Sequence, residues 1–190
     1  DLSVLSFHAT KVFTTFEGGA IISRSAEMKE KIDYLKNFAI KNKEMIVGLG
    51  INGKMNEAEA AMGLLQLKYL DQNIIKREKI FQIYKENLKE INNVRALDIP
   101  DNIEYNYAYF PLFFKEGLNK REKVYNDLYK NNIYCRKYWY PLISSYDTYK
   151  NDDKMDLSTS EELSNSVLCL PIYPDLNDQN IDRTVDILIE

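Results

Sequence analysis

Histidine occurs once in this sequence, at His8, tryptophan once, at Trp139, and cysteine twice, at Cys135 and Cys169. That is too few for a zinc site built from Cys and His, so no metal centre is expected. Two cysteines also make no disulfide framework, and they read as reduced, buried thiols of a cytoplasmic protein. No apolar run approaches the length of a membrane span, and the opening residues do not read as a signal peptide. A basic stripe is missing too. The 25 Lys and Arg are interspersed with 29 Asp and Glu for a net charge of -4, which argues against nucleic acid as a partner.

What is present describes an ordinary globular chain. Its 190 residues fit one domain, or one and a fraction, and can bury a sizeable core. Aromatics reach 12%, with 14 Tyr, and disordered segments are poor in such residues. The chain opens without Met on a strand-like stretch, Asp1 to Phe7. Natural domains rarely open in mid-strand, so a fragment of something larger is expected.

Residues 2–7 and 20–22 predict two strands, joined by a loop holding Lys11 and the Gly18-Gly19 turn. A helix is predicted from Glu27 to Ala39, with an apolar stripe of Met28, Ile32, Leu35 and Ala39. Residues 40–53 look irregular. Residues 56–91 hold no Pro and one Gly, and apolar positions recur at Ala58, Met62, Leu65, Tyr69, Ile80, Tyr84, Leu88 and Ile91. They predict one long helix, or two nearly collinear ones, able to bridge two domains. Further strands are expected near 94–97, 107–114 and 133–139, and a helix near 120–131. Ser158 to Glu161 matches a capping box opening a short helix that ends before Leu170-Pro171. Asn177-Asp178 can cap a last helix with Ile181, Val185 and Leu188 facing inward. Residues 145–156 read as an exposed loop.

Two stretches suggest chemistry. Gly48-Leu49-Gly50-Ile51-Asn52-Gly53 fits G-x-G-x-x-G, but no βαβ unit surrounds it and the next acidic residues, Glu57 and Asp71, fall in predicted helix. A turn feeding a helix N-terminus fits better, with an anion site there left open. In Ser6-Phe7-His8-Ala9-Thr10-Lys11, a lysine follows a strand read as buried. Partial desolvation would lower its pKa and free the amine to form a Schiff base with an aldehyde cofactor. The alternative is a loop lysine pointing at water, with His8 a satisfied structural histidine.

Ser6 to Lys11, followed by Glu17-Gly18-Gly19-Ala20-Ile21, resembles the cofactor-lysine segment of the DegT/DnrJ/StrS sugar aminotransferases. Gly50 to Glu57 with Ala60 to Leu64 looks like the second signature of that family, Arg136 to Leu142 the third, and Leu170 to Leu176 the fourth. They stand in family order and cover nearly the whole chain. The version with His8 and Thr10 is most similar to members that aminate keto-deoxysugars on dTDP or related nucleotides.

The resemblance implies an α/β fold: the C-terminal part of a fold-type-I transferase dependent on pyridoxal 5'-phosphate (PLP). Residues 1–55 would end its large domain, 56–92 would connect, and 93–190 would form a small α+β domain. It implies that Lys11 holds the cofactor and shuttles a proton, and that Ser6 bonds the cofactor phosphate. Asn52 would reach the phosphate in the partner subunit of a cytoplasmic homodimer. Arg136, Tyr138 and Tyr140 would lie near a nucleotide-linked keto sugar, with Tyr138 and Tyr140 alternatively mere half-buried strand residues. An amino acid, glutamate by expectation, would be the donor. Some departures stand out. Ile143-Ser144-Ser145 replaces a usual histidine, Lys54 stands where Arg is common, and no residue can be assigned to the pyridine nitrogen. Related dehydratases replace the lysine with His, and Lys11 argues against that branch. The alternative is a catalytically inert fragment that only dimerises.

Overall fold

A computed structural model describes residues 1–149 and 156–189. The chain divides into two units, Asp1–Asp71 and Gln72–Glu190.

In the first unit, strands β1 (Leu2–Ser6) and β2 (Gly19–Ser23) pair antiparallel, from Leu2 opposite Ser23 to Ser6 opposite Gly19. The expected strands are there, but β1 is exposed along its whole length in this chain, not buried. Helix α1 (Ala26–Leu35) starts where the Ser25 hydroxyl accepts the Met28 N–H, a side-chain cap for an otherwise free donor. It stops four residues before the expected end, because Phe38 and Ala39 take positive φ and leave the helix. The expected irregular stretch contains a small hairpin of β3 (Ile40–Asn42) and β4 (Met45–Ile46). Helix α2 (Glu57–Leu67) opens with a reciprocal capping box between Asn56 and Glu59. The long helical stretch is therefore two helices, because Lys68 and Tyr69 form a turn before α3 (Leu70–Asn87).

The second unit holds a three-stranded antiparallel sheet in the order β5 (Val94–Ala96), β6 (Phe110–Phe114), β7 (Val167–Leu170). Burial alternates along β6, with Phe110, Leu112 and Phe114 inward. Pro111 is tolerated in this central strand for a geometric reason. It stands opposite Cys169, whose N–H and C=O are both spent on Arg136 on the far side of β7. Pro111 and Cys169 are thus a non-hydrogen-bonded pair, and the missing N–H points to the side where β5 has already ended. The sequence predicts helix over this segment, and β7 stands there instead.

Helices α4 (Leu118–Lys130), α5 (Ser158–Ser166) and α6 (Asp178–Ile189) complete the unit. Ile80, Phe81 and Tyr84 of α3, and Leu88 just past its end, meet Phe110, Leu112 and Phe114, and Val124, Leu128, Leu168, Ile181, Val185 and Leu188 join the same core. The expected capping box at Ser158 does not form. Ser158 is already helical, no side chain caps the helix, and its N–H goes to the Asp156 carboxylate at 3.0 Å. Asn177 does cap α6, accepting the Asn180 N–H at 2.9 Å. The strand expected at 133–139 shrinks to one bridge, Arg136 to Cys169, because a turn from Lys137 to Tyr140 leads the chain away. Of the expected exposed loop, residues 145–149 and 156 are exposed, and 150–155 lie outside the described residues.

Phe110 is fully buried, with ring centroids 4.8 Å from Phe81 and 4.9 Å from Tyr84. Phe110→Ala is expected to cost about 3–5 kcal/mol in urea unfolding. Leu64→Ala, at a position 67% exposed, should shift stability by no more than about 0.5 kcal/mol. Equal losses from the two would contradict this placement of the core.

Candidate functional site

The loop between β1 and β2 is a closed body. The Phe7 N–H donates to the Gly18 carbonyl at 2.9 Å and forms its neck. The Phe7 carbonyl accepts the Thr15 N–H at 3.0 Å and the Thr14 hydroxyl at 3.1 Å. Phe7 and Phe13 meet edge to face at 4.8 Å. Thr15 is buried, and a Cβ on Gly63 of α2 would lie 3.0 Å from its methyl group, so the loop seats closely against α2 at a glycine. Gly18 has a φ of 127°, a conformation that side chains disfavour.

Lys11 stands within this body, half-buried, its N–H donating to the His8 carbonyl at 2.9 Å. Among the described residues no hydrogen bond or ion pair engages its amine. His8 is exposed and bonded rather than idle. Its Nδ1 lies 3.0 Å from the Thr10 hydroxyl and 3.3 Å from the Thr10 N–H. A backbone N–H can only donate, so Nδ1 is the acceptor and the ring proton belongs on Nε2, facing Glu17 at 3.6 Å. The Ser6 hydroxyl accepts the His8 N–H at 3.4 Å. Ser6, His8 and Lys11 are thus held by one hydrogen-bonded loop.

Asn52 belongs to a different feature. The Ile51 and Gly53 N–H groups donate to the Leu35 and Lys36 carbonyls, both at 2.8 Å, and Ile51 accepts from Phe38. The glycine-rich stretch therefore satisfies the C-terminal carbonyls of α1. Gly50 must be glycine, because a Cβ there would lie 2.2 Å from the Ala39 nitrogen. The turn does lead on to α2, but an anion site at that N-terminus is disfavoured: Glu57 and Glu59 occupy the first turn. Asn52 is exposed beside Asn37. A cleft of about 940 Å³ lies over the β1–β2 hairpin, lined by Val4, Leu5, Phe7, Ile32, Lys54 and Met55 among others; Ser6, Lys11 and Asn52 do not line it.

Arg136, Tyr138 and Tyr140 belong to the second unit. Arg136 donates to the Tyr138 hydroxyl at 2.7 Å, and the Tyr138 ring packs edge-on against Tyr109 at 5.1 Å. Tyr138 is half-buried and Tyr140 is 41% exposed, and neither is in a strand. Tyr140 lies under the guanidinium of Arg121, 4.2 Å from its ring centre. Arg121 is fully buried, although it stands in a run of four charged residues, Lys120-Arg121-Glu122-Lys123. The signal was its spacing: Arg121 precedes Val124 by three and Leu128 by seven, on the apolar stripe of α4. Arg77 of α3 is half-buried at the same spacing from Ile80 and Tyr84, and it ties the Ile172 carbonyl at 2.8 Å.

The two thiols are buried. Burial pushes Cys135 up to about 12 and Cys169 up to about 11, the latter against the pull of the Tyr138 backbone N–H. Glu122 goes the other way. Burial alone would raise it, but Lys137 at 2.6 Å and Arg121 at 2.7 Å hold it below its usual value.

The sequence model of the DegT/DnrJ/EryC1/StrS aminotransferase family matches residues 1–189. The chain is 42% identical over 193 residues to a dTDP-4-amino-4,6-dideoxy-D-glucose transaminase of Shigella dysenteriae, covering 100% of this chain and 52% of that protein. It is 41% identical over 178 residues to the protein of the same name in Escherichia coli, covering 92% and 48%. The structure of DesI in the presence of its TDP-sugar product superposes with a TM-score of 0.91 at 30% identity, covering 100% of this chain and 49% of that one. Helicobacter pylori PseC shares the fold, with a TM-score of 0.90 at 24% identity over 99% and 52%. The chain spans about half the length of the relatives it matches. The likeness bears out the expected class, a mixed helix-and-sheet part of a fold-type-I transferase.

The thiols give a pH prediction. An unfolded thiol titrates near 8.5, so between about pH 8.5 and about 11 the folded chain keeps protons that the unfolded chain has lost. The contribution is complete below that window and is lost as pH rises through it. Urea midpoints should fall across this range, and iodoacetamide near pH 8.5 should modify neither cysteine until the chain is unfolded. Rapid alkylation of the folded chain would contradict the burial.

Proposed function

Because the chain belongs to the DegT/DnrJ/EryC1/StrS aminotransferase family, we propose that it is part of a PLP-dependent enzyme that moves an amino group from an amino acid, by expectation glutamate, to a nucleotide-linked keto-deoxysugar. The observation that carries this reading is Lys11, an amine without a partner among the described residues, on a loop whose neighbours are all bonded to one another. The names of the relatives favour a dTDP-linked sugar.

The residues present fit two ends of the cofactor. Lys11 offers an amine for its aldehyde carbon, and Ser6 offers a hydroxyl whose one hydrogen bond among the described residues, at 3.4 Å, is long enough to exchange for a phosphate oxygen. PLP, when bound, supplies the electron sink that allows a proton to leave the carbon beside nitrogen. Lys11 then takes that proton on its Nζ and returns it one step later. The His8 and Thr10 bonds fix the turn from which Lys11 projects, so the amine need not be ordered at the moment of reaction. Asn52 serves the cofactor phosphate of a second subunit in a homodimer. Arg136, Tyr138 and Tyr140 serve the nucleotide sugar, where the guanidinium suits phosphate oxygens. Residues 1–55 end the large domain, 56–92 connect, and 93–190 form the small domain. The enzyme works in the cytoplasm, and neither nucleic acid nor membrane takes part.

One observation favours a second reading, in which the chain serves in association only. Leu2, Val4, Leu5, Ile21 and Ile22 are all 45% exposed or more, on both faces of the β1–β2 hairpin.

Reduction of the chain with borohydride in the presence of PLP, followed by peptide mass mapping, should place a pyridoxyl group on Lys11 and on no other lysine. Lys11→Ala should remove it. Scattered adducts would overturn the assignment of Lys11. A stable dimer with no adduct would support the second reading instead.

A further inference from the structure

Each residue of the loop Arg136–Tyr140 is held by a group outside it. Arg136 exchanges both backbone hydrogen bonds with Cys169. The Lys137 ammonium reaches Glu122 at 2.6 Å and lies 3.8 Å from the Tyr125 ring centre. The Trp139 carbonyl accepts the Ser164 hydroxyl at 2.7 Å. Tyr140 stacks on Arg121. Tyr138 has the Arg136 side chain and the edge of Tyr109.

Arg121 is common to three of these restraints, those on Lys137, Trp139 and Tyr140. It is 0% exposed, donates to the Ser164 carbonyl at 2.8 Å and to Glu122 at 2.7 Å, and its Nε has no partner among the described residues. One guanidinium therefore fixes α5 through Ser164, the Glu122–Lys137 pair beside it, and the ring of Tyr140. A buried charge of this kind is a poor source of stability, since apolar side chains of similar volume do as well or better. What it supplies is direction. Its planar fork sets the angles between three neighbours at once, which a lysine cannot do.

We propose that Arg121 is a positioning residue that, together with Ser164, holds the Arg136–Tyr138 pair in the geometry that receives the diphosphate of the nucleotide sugar, without touching that substrate. Arg136 is exposed and has spent one guanidinium nitrogen on Tyr138, so further donors remain for phosphate oxygens. The inference rests on the assignment of the Arg136–Tyr140 loop to the nucleotide sugar.

The test uses Trp139, the only tryptophan of this chain and a member of the loop. Its emission is followed while dTDP is added to the full chain, well below the melting midpoint of each variant. The unsubstituted chain should show saturable quenching. Arg121→Met should weaken dTDP about tenfold, as small misplacements of binding groups do. Arg121→Lys should fall between the two. Ser164→Ala removes the bond to the Trp139 carbonyl and should weaken dTDP about threefold; it carries the test if Arg121→Met does not fold. Unchanged dTDP affinity in the folded variants, with only the melting midpoint lowered, would show that Arg121 is structural and would overturn the proposal. No response of the unsubstituted chain to dTDP would instead overturn the assignment of the loop, and the proposal with it.

Discussion

A guanidinium sealed from water must be answered on each side, and in the second unit Arg121 sets this condition for its surroundings. Its charge is met by Glu122, one of its donors by the Ser164 carbonyl, and its face by the Tyr140 ring, while its Nε is left without a partner among the described residues. Each answer fixes a different element. Helix α5 cannot slide without losing the Ser164 contact, and the Arg136–Tyr140 loop cannot lift without uncovering the charge. Removal of one partner from such a group costs more than the contact itself, because the remaining charge stays buried. The loop is ordered because the arginine beneath it has no alternative.

The two units differ in how they use the same apolar pattern. The stripe Ile80, Tyr84, Leu88 is buried, since α3 packs on Phe110, with Val185 and Leu188 in the same core. Met28 and Leu35 repeat at the same helical spacing on α1, and no residue of that helix is buried. Helical periodicity reports which side of a helix is apolar, and it carries no information on whether anything covers it. The order of the first unit comes from its backbone instead. Phe7 to Gly18, Ile51 to Leu35 and Gly53 to Lys36 stitch its segments together, and Gly50 allows an approach that any side chain would block.

Lys11 depends on that stitched backbone. A lone lysine after a strand has many conformations, but here the loop has very few, because Phe7, Thr14, Thr15 and Gly18 bond one another across its neck. The half-buried amine is left as the group with unused capacity. The cysteines show the opposite case. Cys135 and Cys169 are well packed and pushed far from their reactive form, so their place beside Arg136 is structural.

The sequence by itself determined the family, through four signatures in order, and with it the lysine loop. It also determined the β1–β2 pairing, the start of α2, the cap at Asn177 and the inward face of α6, because capping, turn chemistry and periodicity act between residues close in the chain. The tertiary structure decided the rest. It ended α1 at Leu35, since Ile51 and Gly53, distant in sequence, take its last carbonyls. It turned Val167–Leu170 into a strand, because β6 offered a partner that local propensity could not see. It reduced the segment near Arg136 to one bridge and buried Arg121 out of a run of four charged residues. These outcomes share one physical reason: each depends on what a distant segment brings to an unpaired backbone group or a buried charge, and such pairings exist only once the chain has folded.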